Sequence, residues 1–344
     1  MDPPSLDNRT GYAVLPQLLM DRDGEKLAVL VKATYELPVG ATSLEVAPPP
    51  RRRGIRLADV PWAELEKSSI LYPADLCLRK PGTDVVVVAK AYAPDGRAVP
   101  SFDAGVRVGP VAKALRIFGL RVWQKGGGGL SAPRPVAEQE LRYDHAWGGY
   151  DDSDPDHPVE EPRNPVGTGF VRDPDALTHT PAPSIEDPAE PITSWRTRPA
   201  PAGVGAIARH WEPRRRYLGT YDAAWLESRA PLLPADADDR GNLCATPDLV
   251  AATPLLGAEE VVLSNLVPGG GATRFALPGV GVEIDVRVKG REPEVVRPYL
   301  DTVLVDTLVV PRRPPTVELV WRAHVKAPRR MKDARILVRE REIR

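Results

Sequence analysis

The stretch LAVLVKATYEL (Leu27–Leu37) decides the fold class. Leu27, Val29, Val31, Ala33, Tyr35 and Leu37 are apolar, while Lys32, Thr34 and Glu36 fall on the other parity. Successive side chains of a strand point to opposite faces, so this period of two predicts a half-buried β-strand. GVEIDVRVKG (residues 281–290) alternates the same way, with Val282, Ile284, Val286 and Val288 against Glu283, Asp285, Arg287 and Lys289. In VELVWRAHV, Val317, Leu319, Trp321, Ala323 and Val325 share one face and His324 falls on the polar one. DVVVVAKAY, from Asp84, is apolar on both parities and β-branched, which suits a central strand packed on two sides. LDTVLVDTLVV (300–310) and EVVLSNLV (260–267) complete a second antiparallel set.

Two breaks in pattern carry local expectations. In KALRIFGLRVW the apolar parity shifts from Leu115 and Ile117 to Leu120 and Val122 across Gly119, which predicts a bulge and a bent strand. Helices are few: Asp59 is placed to cap VPWAELEKSS (60–69), and Asp222 to cap a short helix near 222–229 before Pro231.

The 39 prolines among 344 residues exceed the usual share of about 5% about twofold, which demands loop-rich β structure or disorder. From 133 to 254 the chain is Pro-, Gly-, Asp- and Arg-rich without period. Trp147, Phe170, Trp195, Trp211, Tyr217, Tyr221 and Trp225 nevertheless fall there, and disordered linkers are poor in aromatics. The expectation is a mainly β protein of antiparallel, sandwich-like sheets, with long ordered Pro/Gly-rich loops and a few short helices. Its parts are an N-terminal β region (1–132), a loop region (133–254) and a C-terminal β region (255–344), the first and last compatible with one interleaved domain.

Composition excludes several classes. Lys plus Arg of 46 against Asp plus Glu of 47 gives a net charge of -1, which supports no whole-protein attraction to nucleic acid or anionic membrane. Cys77 and Cys244 form neither a disulfide framework nor a zinc spacing. The opening residues lack a signal peptide's basic and apolar regions, and no apolar run reaches membrane-spanning length, so a cytoplasmic protein without membrane insertion is expected.

The richest candidate segment is YDHAWGGYDDSDPDHPVEEPRNPVGTGF (Tyr143–Phe170). Asp152, Asp154 and Asp156 imitate a calcium loop, but His157 replaces the required glycine and Arg163 the closing glutamate, so an EF-hand is excluded. A solvated acidic turn is the plainer reading; whether 151–156 holds another cation stays open. His145, Asp151 and His157 are the only combination suggesting a metal-assisted hydrolase, yet no H-x-x-x-H or H-E-x-x-H supports it. KGGGGLS (125–131) lacks P-loop order and reads as a flexible connection. GVGAIA (203–208) follows RPAPA rather than a strand and is discarded as a dinucleotide fingerprint. The basic runs at 51–56 and 214–216 and the tail from Lys326 read as exposed solubilising or partner-facing charge. No nucleophile, base and oxyanion donor assemble, so the expectation is a binding protein with no catalytic residues, metal or cofactor.

VVVAKAYAPDG (86–96), GLRVW (119–123), YDHAWGGYD (143–151), RNPVGTGF (163–170), RRRYLGTYDAAWLESRAPLLPADAD (214–238) and YLDTVLVDTLVVPRRPPTVELVWRAHV (299–325), in this order, resemble a bacterial family of type VI secretion accessory proteins, domain of unknown function 2169. The resemblance implies a cytoplasmic adaptor or chaperone, not an enzyme, that binds a toxic effector and helps load it onto the VgrG or PAAR spike. Some relatives carry pentapeptide repeats after this domain; none follow here, so no function tied to them is implied. The signature residues are Tyr143, Asp144, Trp147, Gly148, Gly149, Tyr150, Asp151, Asn164, Gly167 and Gly169 in the first loop. Gly219, Tyr221, Asp222, Trp225, Asp301, Trp321 and Arg322 complete them. For the first loop we expect architecture: glycines adopting positive φ, Trp147 and Tyr150 pinning the loop, Asp144 and Asp151 satisfying turn amides.

Overall fold

The computed structural model describes residues 2–38, 40–124, 129–173, 180–308 and 313–343, and it is mainly β. In chain order the principal strands are β1 (Ser5–Asn8), β2 (Ala13–Asp21), β3 (Gly24–Glu36), β4 (Thr83–Val88), β5 (Ser101–Val108) and β6 (Val111–Phe118). They continue as β7 (Glu260–Ser264), β8 (Ala272–Ala276), β9 (Val280–Val288), β10 (Leu300–Asp306), β11 (Thr316–Lys326) and β12 (Ala334–Glu342).

The largest sheet runs Val250–Ala251, β4, β10, β11, β3, β2, with Glu45–Val46 added to β3. All its pairings are antiparallel except β4 with β10, where Val85 lies beside Val303. β4 is buried along its whole length, as its unbroken apolar run requires. A second sheet runs Ile185–Glu186, β6, β5, β7, β8, and a third β1, β12, β9, Glu294–Val296. Val29 and Val31, Leu115 and Ile117, and Ile284 and Val338, from the three sheets in turn, belong to one buried apolar cluster. The late strands are therefore not a set of their own: β7 joins the second sheet, β9 the third, and β10 and β11 lie between β4 and β3. Hydrophobic alternation fixes which face a strand buries, not which strand it pairs with, and long-range pairing decided the outcome.

Two local expectations are corrected. Residues 60–69 form no helix; Val60–Pro61 pairs with Ile70–Tyr72, and the Asp59 carboxylate accepts from the Ala74 amide at 2.7 Å instead of capping. Nor is there a bulge at Gly119: β6 stops at Phe118, because a Cβ on Gly119 would lie 1.8 Å from the Arg134 carbonyl oxygen. This glycine marks a close backbone approach, the alternative meaning of glycine in a strand pattern. The expected helix near 222–229 is present as α1 (Ala223–Ser228), with Asp222 Oδ1 accepting from the Trp225 amide at 2.8 Å. Lys125–Gly128 of the glycine-rich connection lie outside the described residues.

Candidate functional site

The segment from Tyr143 to Gly169 folds into a knot centred on Asn164, which is fully buried. Its side-chain amide donates to the carbonyls of Tyr143 (2.8 Å), which also receives the Ala146 amide, and Trp147 (3.0 Å). Gly148, at φ +148°, lies so close that a Cβ would meet the Asn164 carbonyl oxygen at 2.3 Å; a Cβ on Gly167 would meet Asn164 Nδ2 at 2.4 Å. Trp147–Gly148 and Thr168–Gly169 then pair as short parallel strands. Asp144 receives the Arg142 guanidinium at 2.8 Å and the Ser69 hydroxyl. Asp151 accepts from the amides of Ser153 (2.9 Å) and Arg172 (2.6 Å). Burial works to raise its pKa, and these donors outweigh it, so the carboxyl stays below its ordinary value. Trp147 is buried as expected of an anchor, whereas Tyr150 is 56% exposed and pins nothing.

The candidate metal residues of the knot lie apart in function. Asp151 spends both oxygens on turn donors, and His157 faces solvent with its Nδ1 3.1 Å from Asp154. His145 is half-buried, and burial followed by the nearby Arg142 lowers its pKa, favouring the neutral ring. Among the described residues no three His, Cys, Asp or Glu side chains group so as to hold a metal ion.

Beside the knot lies a satellite core of Trp123, Trp147, Val171, Ala182 and Ile192, with Phe170 and Trp195 packed against it. Trp147 meets Phe170 edge-on at 6.1 Å. Arg163, Arg198 and Arg196 lie over the rings of Trp147, Phe170 and Trp195 at 5.2, 4.9 and 4.7 Å respectively.

The second signature segment, Gly219–Asp238, behaves oppositely. No residue of α1 is buried; Leu226 is 66% and Tyr221 54% exposed, and Tyr221 meets Trp225 edge-on at 4.8 Å. Polar contacts to the β2–β3 turn hold it: Arg229 donates to the Arg22 carbonyl at 2.8 Å and the Leu233 amide to the Asp21 carbonyl at 3.3 Å. A groove of about 300 Å³ opens nearby among Tyr217, Leu243, Ala245, Pro247 and Val250.

The remaining signature residues are internal, in a feature the sequence reading missed. One face of the largest sheet is charged yet buried, because the irregular segment 49–82 lies across it. Lys32 bridges Asp75 (2.8 Å) and Glu318 (2.6 Å), and Arg56 grips Glu318 with two bonds, of 3.1 and 2.7 Å. Lys80 reaches Asp84 at 2.7 Å and Thr302 at 2.9 Å; Arg51 reaches Glu36 at 2.7 Å, and Tyr72 donates to Asp306 at 2.7 Å. Asp301 is the extra residue of a bulge in β10, which turns its carboxylate onto Arg322 at 2.5 and 3.0 Å. Trp321, on the opposite face, stacks on Tyr12 at 6.2 Å. Burial works to raise the pKa of Glu318 and Asp84, and their cations outweigh it, so both carboxyls stay below their ordinary values. Arg51 and Arg56 are therefore not solubilising charge. Arg214 likewise donates inward, to the carbonyls of Ile207 (2.6 Å) and Gly241 (3.1 Å). In the tail, Lys332 pairs with Asp2 at 3.0 Å and Arg339 with Glu283. Basic residues clustered in sequence carry no local sign of such distant partners; the one available hint was that Lys32, Glu318 and Arg322 fall on strands too apolar to be surface strands.

Among the described residues no helix is long and apolar enough to cross a membrane. A family model described as an uncharacterized protein conserved in bacteria (DUF2169) matches residues 22–322. No curated protein and no solved structure matches the chain.

Proposed function

Because the chain belongs to the uncharacterized bacterial family DUF2169, we propose that it works by binding other proteins, as a type VI secretion adaptor or chaperone. In this reading it is not an enzyme: it holds a toxic effector in the cytoplasm and helps load it onto the VgrG or PAAR spike. Two lines support it. The ordered signature segments resemble those of such accessory proteins. The carrying observation is the Gly219–Asp238 hairpin, which exposes Leu226 on a short helix with no buried residue and Tyr221 just before that helix's cap. Partner contacts concentrate their energy in a few large, desolvated side chains, aromatics foremost. The buried ions, by contrast, are spent on one another and leave no poised acid, base or nucleophile.

The test is a variant carrying Tyr221→Ala and Leu226→Ala, co-expressed with the effector and the VgrG encoded beside it. Loss of co-purified effector, with the melting temperature of the variant unchanged, is the expected result. Effector retained in full by the variant would remove the hairpin from the interface.

A further inference from the structure

The satellite core carries three arginines over three of its rings, but they are not alike. Arg163 is neutralised by Glu161 at 2.5 Å. Arg196 and Arg198 are exposed, and beyond their ring contacts neither side chain has an ion pair or hydrogen-bond partner among the described residues. Elsewhere Arg116 pairs with Asp103 (2.8 Å), Arg216 with Glu212 (2.7 Å) and Arg240 with Asp238 (2.7 Å), whereas Arg97, Arg209 and Arg335 have neither such a partner nor a ring beneath them among the described residues. What sets Arg196 and Arg198 apart is the combination: two guanidiniums without an acidic partner, two residues apart, each laid on a partly buried ring packed against one apolar cluster.

Stacking supplies what a surface arginine normally lacks. Contact with an aromatic face restricts the guanidinium plane while leaving its N–H edge directed away from the ring, the edge that matches a carboxylate with two parallel bonds. Less rotamer freedom is then lost when an anion arrives. We propose that Arg196 and Arg198, seated on Trp195 and Phe170, form a docking point for an acidic segment of a partner protein that carries at least two carboxylates. The inference rests on the binding-protein reading above and adds a second contact, electrostatic where the hairpin's is apolar. Single-stranded nucleic acid fits less well: it binds through bases stacked on open aromatic faces, whereas these rings bear an arginine on one side and pack on the satellite core.

Two variants of the full chain decide it: charge reversal (Arg196→Glu with Arg198→Glu) and the conservative pair (Arg196→Lys with Arg198→Lys). The probes are a fluorescent glutamate-rich peptide and a labelled oligouridylate of equal length, read by anisotropy at low and physiological salt. The wild type is expected to prefer the peptide. Charge reversal should weaken that binding by about tenfold or more, with the lysine pair intermediate and the melting temperatures alike. Equal peptide binding by wild type and reversed chain, or preference for the oligouridylate, would overturn the proposal. Co-purification separates it from the adaptor reading. If the reversed chain still retains the effector in full, this surface is not the effector's contact and the proposal falls while the adaptor reading stands. If the wild type retains no effector, the adaptor reading falls, and the peptide measurement still decides this surface.

Discussion

Asn164 and Glu318 illustrate how differently single residues express the fold. Asn164 could be picked out from its motif, RNPVGTGF, but its role as a buried double donor to Tyr143 and Trp147 depends on contacts at sequence distances of 21 and 17. Asn164→Ala leaves the Trp147 carbonyl without its donor, while the Tyr143 carbonyl keeps the Ala146 amide, so a loss of about 1–3 kcal/mol and a lower urea midpoint are expected. Glu318 falls on the polar parity of its strand and reads as half-exposed; segment 49–82 buries it between Lys32 and Arg56. Glu318→Gln leaves the buried Lys32 ammonium and the Arg56 guanidinium with Asp75 as their remaining carboxylate, and a loss approaching about 3 kcal/mol is expected by the same denaturation measurement. The pH dependence follows with a definite sign. Asp84 and Glu318 are held below their ordinary values, so their contribution is complete above the unfolded values near about 4 and is lost as pH falls below them. Asp306, raised by burial, runs the other way and contributes as pH falls. Asp151 and Glu283 are held low as well, so the lowered carboxyls outnumber Asp306, and the urea midpoint should decline below about pH 4, less steeply in Glu318→Gln. Cys244 gives an independent check. Burial, reinforced by Asp84, pushes its thiol up to about 12, so alkylation followed by mass spectrometry should leave it unmodified until the chain unfolds.

At the scale of elements, legibility tracked how local the signal was. β3, β9 and β11 were readable because alternation over nine or more residues admits one explanation. The helix at Ala223–Ser228 was readable from its cap and the proline beyond it. Residues 60–69 offered the same kind of cap, but a Ser69 amide donated towards Asp144 and a Val60–Pro61 pairing favoured turn structure over a weak propensity. The charged face was hinted at only by the apolar character of the strands carrying Lys32, Glu318 and Arg322, since apart from Lys80 with Asp84 its pairs join residues far apart in sequence. The hairpin's dependence on polar contacts yields a further prediction. Asp222→Ala removes the bond to the Trp225 amide and should cost about 1 kcal/mol locally. Amide exchange in residues 223–230 should then accelerate while β3 and β11 remain protected; uniform acceleration across the chain would show that the hairpin is part of the core.

For the whole molecule, three sheets share one apolar core, and segment 49–82 seals the charged face of the largest with internal ion pairs. Outward lie the Gly219–Asp238 hairpin, with Tyr221 and Leu226 exposed, and Arg196 and Arg198 over their rings. The most direct test of the binding role is affinity purification of the unmodified chain, co-expressed with the neighbouring effector and VgrG, followed by size-exclusion chromatography. A stoichiometric complex, with effector that is lost or insoluble when this chain is omitted, is the predicted result. A chain that elutes alone at every salt concentration, with the effector equally soluble in its absence, would contradict the account.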